Sequence, residues 1–434
     1  MRLGLGAALI VAAWGVMAGC SDDSGAASDT GATSNGAADA GAGDSGSTED
    51  SGVADSGAGV DSGGVEDSGG ADAGEDVVDN GLPPRPWAVD SPGFYNVGFR
   101  SLTASYTTID DVERELRVVV WYPTLDTEGE DALYGGLLPR AGVFTDATVA
   151  PAEGGAPFPV MVFSHGNSGF AEQSYFLTEY FTTHGWVVVS LDHTGNTFDA
   201  TGIDPAIFYL RPVDVSVVLD TVLALPEGDP LSGRLGDDIV MAGHSFGGYT
   251  TLLASGAGFA VDDLFALCDA DVIDEDNCAH YREPEREAQL RMGFLDERID
   301  VAIPMSPGAT QLMGPGIGDI TIPTLLLTAA LDETTPNVTE GDPTWQALMA
   351  QGSVRVDFAT AGHFTFSNAC DAFPGLIDGD GCGDGFLPAE EAHAAINTFS
   401  LAFARFHLFG EAELEPLLNG EQEVSSDATI SARP

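Results

Sequence analysis

The run Asp238-Ile239-Val240-Met241-Ala242 leads directly into Gly243-His244-Ser245-Phe246-Gly247. The apolar stretch reads as a buried strand, and the residues from Tyr249 to Ala254 suit a helix. Ser245 therefore falls on a sharp strand-to-helix turn, inside a Gly-x-Ser-x-Gly pattern. Small residues two positions to either side let strand and helix approach closely enough to make that turn. A serine is a weak nucleophile unless it is held exposed at such a turn beside a base.

The rest of the body alternates in the same way. Tyr95 to Tyr106 and Arg114 to Tyr122 read as opening strands, and Phe158 to Ser164 as a strand buried on both faces. Glu172 to His184 suits a helix, Trp186 to Leu191 a strand, and Pro212 to Leu225 another helix. Further short apolar runs follow at Ile299 to Met305, Pro323 to Ala329 and Val354 to Ala359, before a long helix over Ala392 to Leu408. Strands alternating with helices imply an α/β fold, with a mostly parallel central sheet covered by helices on both faces. The segment from Cys268 to Arg298 is expected to be a loop-rich insert, and residues after Gly410 show no clear pattern.

A nucleophilic serine needs a base, and the chain has eight histidines. His363, in Ala361-Gly362-His363-Phe364, follows a late strand and can reach the carboxyl edge of the sheet. His184, His393 and His407 fall in expected helices, and the side chain of His244, beside Ser245, is expected to point elsewhere. The strand from Ile322 runs to Asp332, which would orient the imidazole and stabilise its charged form. The order Ser245, Asp332, His363 is that of the α/β-hydrolase fold. Two backbone amides should receive the developing oxyanion. Phe246 supplies one, and the loop Ser164-His165-Gly166-Asn167-Ser168-Gly169 supplies the other, from Asn167 with Gly166 as the close competitor.

Composition narrows the chemistry. All 15 basic side chains are arginine, and lysine is absent. P-loop, Schiff-base and Ser-x-x-Lys mechanisms are therefore excluded, and the expected chemistry needs no cofactor. A formal net charge of −53 argues against nucleic acid as a partner.

Four cysteines follow Cys20, and three pairings are open to them. The local pairs Cys268–Cys278 and Cys370–Cys382 are favoured because each brackets a short acidic loop. Each bridge would contribute about 2–3 kcal/mol. A zinc site is disfavoured by the lack of close Cys or His pairs, so no metal is expected. Asp378, Asp380 and Asp384 superficially resemble a calcium loop. Cys382 stands where an oxygen ligand is expected, however, and no glutamate closes the loop. An acidic turn tied by Cys370–Cys382, steadying the loop of His363, is the expected arrangement.

The N-terminus reads as an export signal. Residues 1–19 combine an early arginine with an apolar run that stops at Met17-Ala18-Gly19, before Cys20. Cleavage there and lipidation of Cys20 would anchor the protein to a membrane. With serine at position 21, the expected location is the outer membrane or surface of a Gram-negative cell. Residues 20–84 carry 15 acids and no base. They form an expected disordered linker with a reach of about 40 Å. The body is placed at 85–410 and a tail at 411–434.

Val162-Phe163-Ser164-His165-Gly166, the stretch from Trp186 to His193, and Gly243-His244-Ser245-Phe246-Gly247-Gly248 together resemble the platelet-activating-factor acetylhydrolase and dienelactone-hydrolase-like branch of the α/β hydrolases. Val119-Val120-Trp121-Tyr122-Pro123 is similar to its early strand. The resemblance spans roughly residues 95 to 410. It implies Ser245 as nucleophile, His363 as base, and the amides of Asn167 and Phe246 as oxyanion donors. In the acetylhydrolases the acid follows the preceding strand, where Ile303-Pro304-Met305-Ser306-Pro307-Gly308 offers no aspartate. Dienelactone hydrolases proper use cysteine where this chain has Ser245. The implied activity is a serine hydrolase acting on small to medium carboxylic esters, phospholipid-like or polyester substrates included. An amidase on the same three residues and an idle scaffold that only binds a ligand are the alternatives.

Overall fold

The computed structural model describes residues 87–433 apart from 152–154, 203 and 376. The signal sequence, Cys20 and the acidic linker lie outside the described residues. The strands are β1 (Asn96–Thr107), β2 (Glu113–Thr124), β3 (Asp131–Tyr134), β4 (Leu138–Thr145), β5 (Phe158–Ser164), β6 (Val187–Leu191), β7 (Leu235–His244), β8 (Val301–Met305), β9 (Leu325–Ala329), β10 (Val354–Phe358) and β11 (Ala428–Ala432). They form one sheet in the order β11-β10-β9-β8-β7-β5-β6-β2-β1-β4-β3. From β6 across to β10 the neighbours run parallel, and β2 and β11 flank this core antiparallel. Every residue of β5, β6, β8 and β9 is buried. That is why these strands read as unbroken apolar runs.

Helices cover both faces, as the sequence pattern implies. On one face, Leu177 and Phe181 of α1 (Tyr175–Thr183) join the core that includes Phe163, Val188 and Leu327 of the sheet. On the other, Val215, Val218, Leu219 and Val222 of α2 (Ile207–Leu223) meet Val162, Val189 and Met241. Each such side chain removed from water contributes about 1.5–3 kcal/mol. Pro212 lies inside α2 and cannot donate to the carbonyl of Phe208 one turn back. Tyr249 of α3 (Phe246–Ala254) donates its hydroxyl to that carbonyl instead, at 2.9 Å.

Three segments differ from expectation. The insert is helical rather than loop-rich, with α4 (Val261–Asp269), α5 (Glu275–Tyr281) and α6 (Pro284–Met292). These helices are too short to show periodicity, and local signals start two of them. Asp274 accepts the amide of Asn277 at 2.9 Å, and Pro284 opens α6. Second, α7 (Gly341–Ala347), α8 (Ala369–Ala372), α9 (Ala389–Phe409) and α10 (Glu415–Leu418) complete the helices, and β11 then adds an edge strand. Residues 411–434 are therefore not a featureless tail, since β11 pairs with β10 from Val354↔Ala432 to Phe358↔Ala428. Third, β3 at the sheet edge and β4 beside it were not apparent in the sequence.

Both local disulfides are present, Cys268–Cys278 and Cys370–Cys382, with Cα atoms 5.7 and 5.4 Å apart. They fit an oxidising compartment outside the cytosol. Among the described residues no helix is long and apolar enough to cross a membrane.

The sheet order decides where a site can form. The chain leaves β5, crosses through α1 to β6 on one side, then returns through α2 to β7 on the other. The loops after β5 and β7 therefore diverge and leave a crevice at the carboxyl ends of the strands.

Candidate active site

Ser245 stands at this crevice, between the end of β7 and the start of α3. Its backbone is left-handed, at φ 59° and ψ −117°, an unfavourable conformation for a residue with a side chain. Close packing imposes it. A Cβ on Gly243 would collide with the carbonyl of Gly247, and one on Gly247 with the carbonyl of Ser164. A Cβ on Gly248 would come 2.9 Å from Pro307 Cα. The Ser245 amide donates to the Met305 carbonyl at 2.9 Å, fixing the turn to β8.

Asp332 and His363 follow β9 and β10, the two neighbouring parallel strands. His363 Nδ1 lies 2.9 Å from Asp332 Oδ2. Thr335 braces the carboxylate, its amide donating to Oδ1 at 2.6 Å and its hydroxyl to Oδ2 at 2.7 Å. The Thr335 hydroxyl also lies 3.1 Å from His363 Nδ1. Burial works against the ionised form of Asp332. The charge and hydrogen bond of His363, with the bonds from Thr335, outweigh it and hold the carboxyl down at about 2. Among the described residues the ring hydrogen bonds of His363 fall on Nδ1, and none falls on Nε2. Ser245 and His363 line one cavity of about 350 Å³. The three residues anticipated from sequence thus follow β7, β9 and β10 of the parallel core, with β8 between the first two, and Ser245 and His363 face the same cavity.

His244 differs from expectation. Its ring does not point away but lines the same cavity, with its centre 4.6 Å from that of His363. Its Nδ1 accepts from Gln173 Nε2 at 2.7 Å, and its Nε2 donates to the His363 carbonyl at 3.0 Å. Burial, then the neighbouring His363, push its pKa well below the usual value, so the ring stays neutral. With both nitrogens engaged, it holds the backbone of His363 rather than competing as a base.

The same glutamine separates the two oxyanion candidates. Gln173 Oε1 accepts the amide of Gly166 at 3.0 Å, which engages that donor. Neither the Asn167 nor the Phe246 amide has a hydrogen-bond partner among the described residues. Asn167 lines the cavity, and Phe246 opens α3, where helical amides have no internal acceptor.

Sequence reasoning missed a second Ser–His–Asp chain. Ser164 Oγ lies 2.9 Å from His193 Nε2, and His193 Nδ1 lies 2.9 Å from Asp214 Oδ2. All three residues are fully buried. Arg114 and the Tyr106 hydroxyl also bind Asp214, and Ser164 has no exposed surface. This chain is a support beneath the loop after β5. The only sequence signal for it was the position of His193, two residues beyond a buried strand.

Among the described residues no group of three or more His, Cys, Asp or Glu is placed to hold a metal ion. Asp380 instead accepts backbone amides from both loops that carry the site. Glu333 and His363 donate to its Oδ1 at 2.9 Å each, and Thr334 donates to Oδ2 at 3.1 Å.

No protein-family model matches the chain, and no curated protein matches it. Solved structures do. A ferulic acid esterase from Streptomyces cinnamoneus aligns over 79% of this chain and 98% of its own, at 23% identity and a TM-score of 0.57. At that identity the likeness establishes the α/β-hydrolase fold.

Proposed function

We propose that the protein is an exported serine hydrolase of carboxylic esters, from the acetylhydrolase and dienelactone-hydrolase-like branch named above. The observation that carries this reading is the shared cavity of Ser245 and His363, with His363 already bonded to the ionised Asp332. Ser245 Oγ attacks the acyl carbonyl while His363 Nε2 takes its proton. The amides of Asn167 and Phe246 receive the oxyanion. His363 then protonates the leaving alcohol, and water repeats the sequence on the acyl-enzyme. One structural neighbour is a ferulic acid esterase, which favours ester chemistry on this fold.

The cavity argues for the substrate. Tyr134, Leu138, Phe170, Phe198, Phe364 and Phe373 contribute to its wall, and among the described residues no carboxylate or guanidinium does. A wall of this kind suits an uncharged acyl group, and the volume suits a small to medium one. Lipidation of Cys20 would place this body at a membrane surface.

A fluorophosphonate probe tests the reading. The parent chain should be labelled stoichiometrically on Ser245, with complete loss in Ser245→Ala. Labelling that persists in Ser245→Ala, or absence of labelling in folded parent protein, would overturn it.

A further inference from the structure

Arg211 is among the largest fully buried side chains of the described residues, and none of its hydrogen bonds goes to a carboxylate. Its Nε donates to Thr250 Oγ1 at 2.9 Å, and its Nη1 to Asn196 Oδ1 at 2.6 Å. Its Nη2 donates to Ser164 Oγ at 3.0 Å and to the His165 carbonyl. The nearby Asp214 is engaged by Arg114, Tyr106 and His193. Burying a guanidinium among neutral acceptors is costly, and a packing role alone could be filled by an apolar side chain.

The acceptors lead to two places. Asn196 donates its Nδ2 to Asn167 Oδ1 at 2.8 Å. The hydroxyl of Thr250 donates in turn to the Phe246 carbonyl at 2.9 Å, and the guanidinium carbon lies 4.7 Å from the centre of the Phe246 ring. Ser164 and His165 begin the loop that carries Asn167. One side chain in α2 therefore grips both Asn167 and Phe246, whose amides have no partner among the described residues, although they follow different strands.

We propose that Arg211 is a positioning residue for the oxyanion hole, setting Asn167 and Phe246 relative to each other through Asn196 and Thr250. This rests on the ester-hydrolase reading of the site. Burial lowers the pKa of Arg211 to about 9, so the group is still charged at neutral pH. Its charge and its geometry act together on the donors. Because the hole matters only once the carbonyl oxygen becomes an oxyanion, disturbing it should lower kcat and spare KM.

The test uses the full chain and its Arg211→Met, Arg211→Lys and Asn196→Ala variants. Initial rates on p-nitrophenyl butyrate are normalised to fluorophosphonate-titrated sites, and thermal unfolding is followed in parallel. Trifluoromethyl ketone affinity reports the tetrahedral state. Arg211→Met should lower kcat per site roughly 10–100-fold, and Asn196→Ala roughly 10-fold, with KM held within about twofold. Ketone affinity should fall in step with kcat, and Arg211→Lys should recover only part of both. If the Arg211 variants do not fold, Asn196→Ala carries the test alone. Unchanged kcat per site and ketone affinity, whatever the change in Tm, would reduce Arg211 to a structural prop. Turnover that survives Ser245→Ala would instead sink the ester-hydrolase reading itself.

Discussion

Asp380 accepts the backbone amide of His363 at 2.9 Å, through the carboxylate oxygen that also accepts the amide of Glu333. One side chain thus ties the loop of His363 to the loop of Asp332. It comes from the acidic segment closed by Cys370–Cys382, and the Asp380 carbonyl adds a bond from the Phe364 amide at 2.8 Å. The segment that superficially resembled a calcium loop spends its central carboxylate on backbone amides.

Removing that carboxylate should loosen the alignment of base and acid. Asp380→Ala is expected to lower kcat roughly 10-fold and to cost about 1–3 kcal/mol of stability, since it leaves three amides without their acceptor. Asp384→Ala, on the same segment, should change neither. Steady-state kinetics and thermal unfolding of the pair check this, and equal effects from both substitutions would count against the clamp.

In the proposed mechanism Asp332 fixes the His363 tautomer, and Asp332→Asn should supply a donor where the ring needs an acceptor. The expected loss is roughly 10³–10⁴-fold in kcat at pH 7. Thr335→Val removes only the brace on that carboxylate and should cost about 10-fold. Rates per titrated site decide, and a milder effect from Asp332→Asn than from Thr335→Val would contradict the assignment.

Glu340 is buried close to this group and accepts the amide and the hydroxyl of Thr310, at 2.9 and 2.6 Å. Burial, with Asp332 adding to it, pushes its pKa from the usual 4.5 up to about 7 despite these bonds. The folded state therefore holds this proton more tightly than the unfolded one. Stability should fall as pH rises from about 4.5 to 7 and level off above that. The depressed carboxyl of Asp332 acts at the other end, since its contribution is present above about pH 4 and is lost toward pH 2. Glu340→Gln should accordingly stabilise the protein by about 2–3 kcal/mol at pH 8 and by little at pH 4.5. Unfolding midpoints across this range test it, and a pH-independent difference would show that Glu340 is not the group responsible.

The elbow glycines are packing requirements as much as conformational ones. Gly247→Ala drives a methyl group into the Ser164 carbonyl, a backbone atom that cannot move without shifting β5. The expected cost is about 3 kcal/mol or more. A Tm within 1–2 °C of the parent, where a change of 1 kcal/mol is worth roughly that much in a domain this large, would refute it.

The positions of the three candidate residues were legible because each follows a strand with a strong signal. β7 and β9 are apolar runs, β10 alternates, and Ser245, Asp332 and His363 stand just beyond their carboxyl ends. The supports were not legible, because their partners are remote in sequence. Asp380 reads as a turn residue until three distant amides converge on it. Arg211 would be assigned to a helix surface by default, since buried guanidiniums are rare. His244 was misjudged because strand alternation ceases to guide a side chain where the strand turns into α3. Likewise β11, with the sequence Ala-Thr-Ile-Ser-Ala at the sheet edge, carries too little apolar area to stand out before β10 is in place.

The most direct test is turnover of p-nitrophenyl esters, from acetate to palmitate, by the full chain and by Ser245→Ala. The account predicts hydrolysis by the parent, strongest on short to medium acyl chains in keeping with a cavity of about 350 Å³, and its abolition in the variant. Well-folded parent protein that cleaves none of these esters, or a variant that cleaves them equally well, would contradict it.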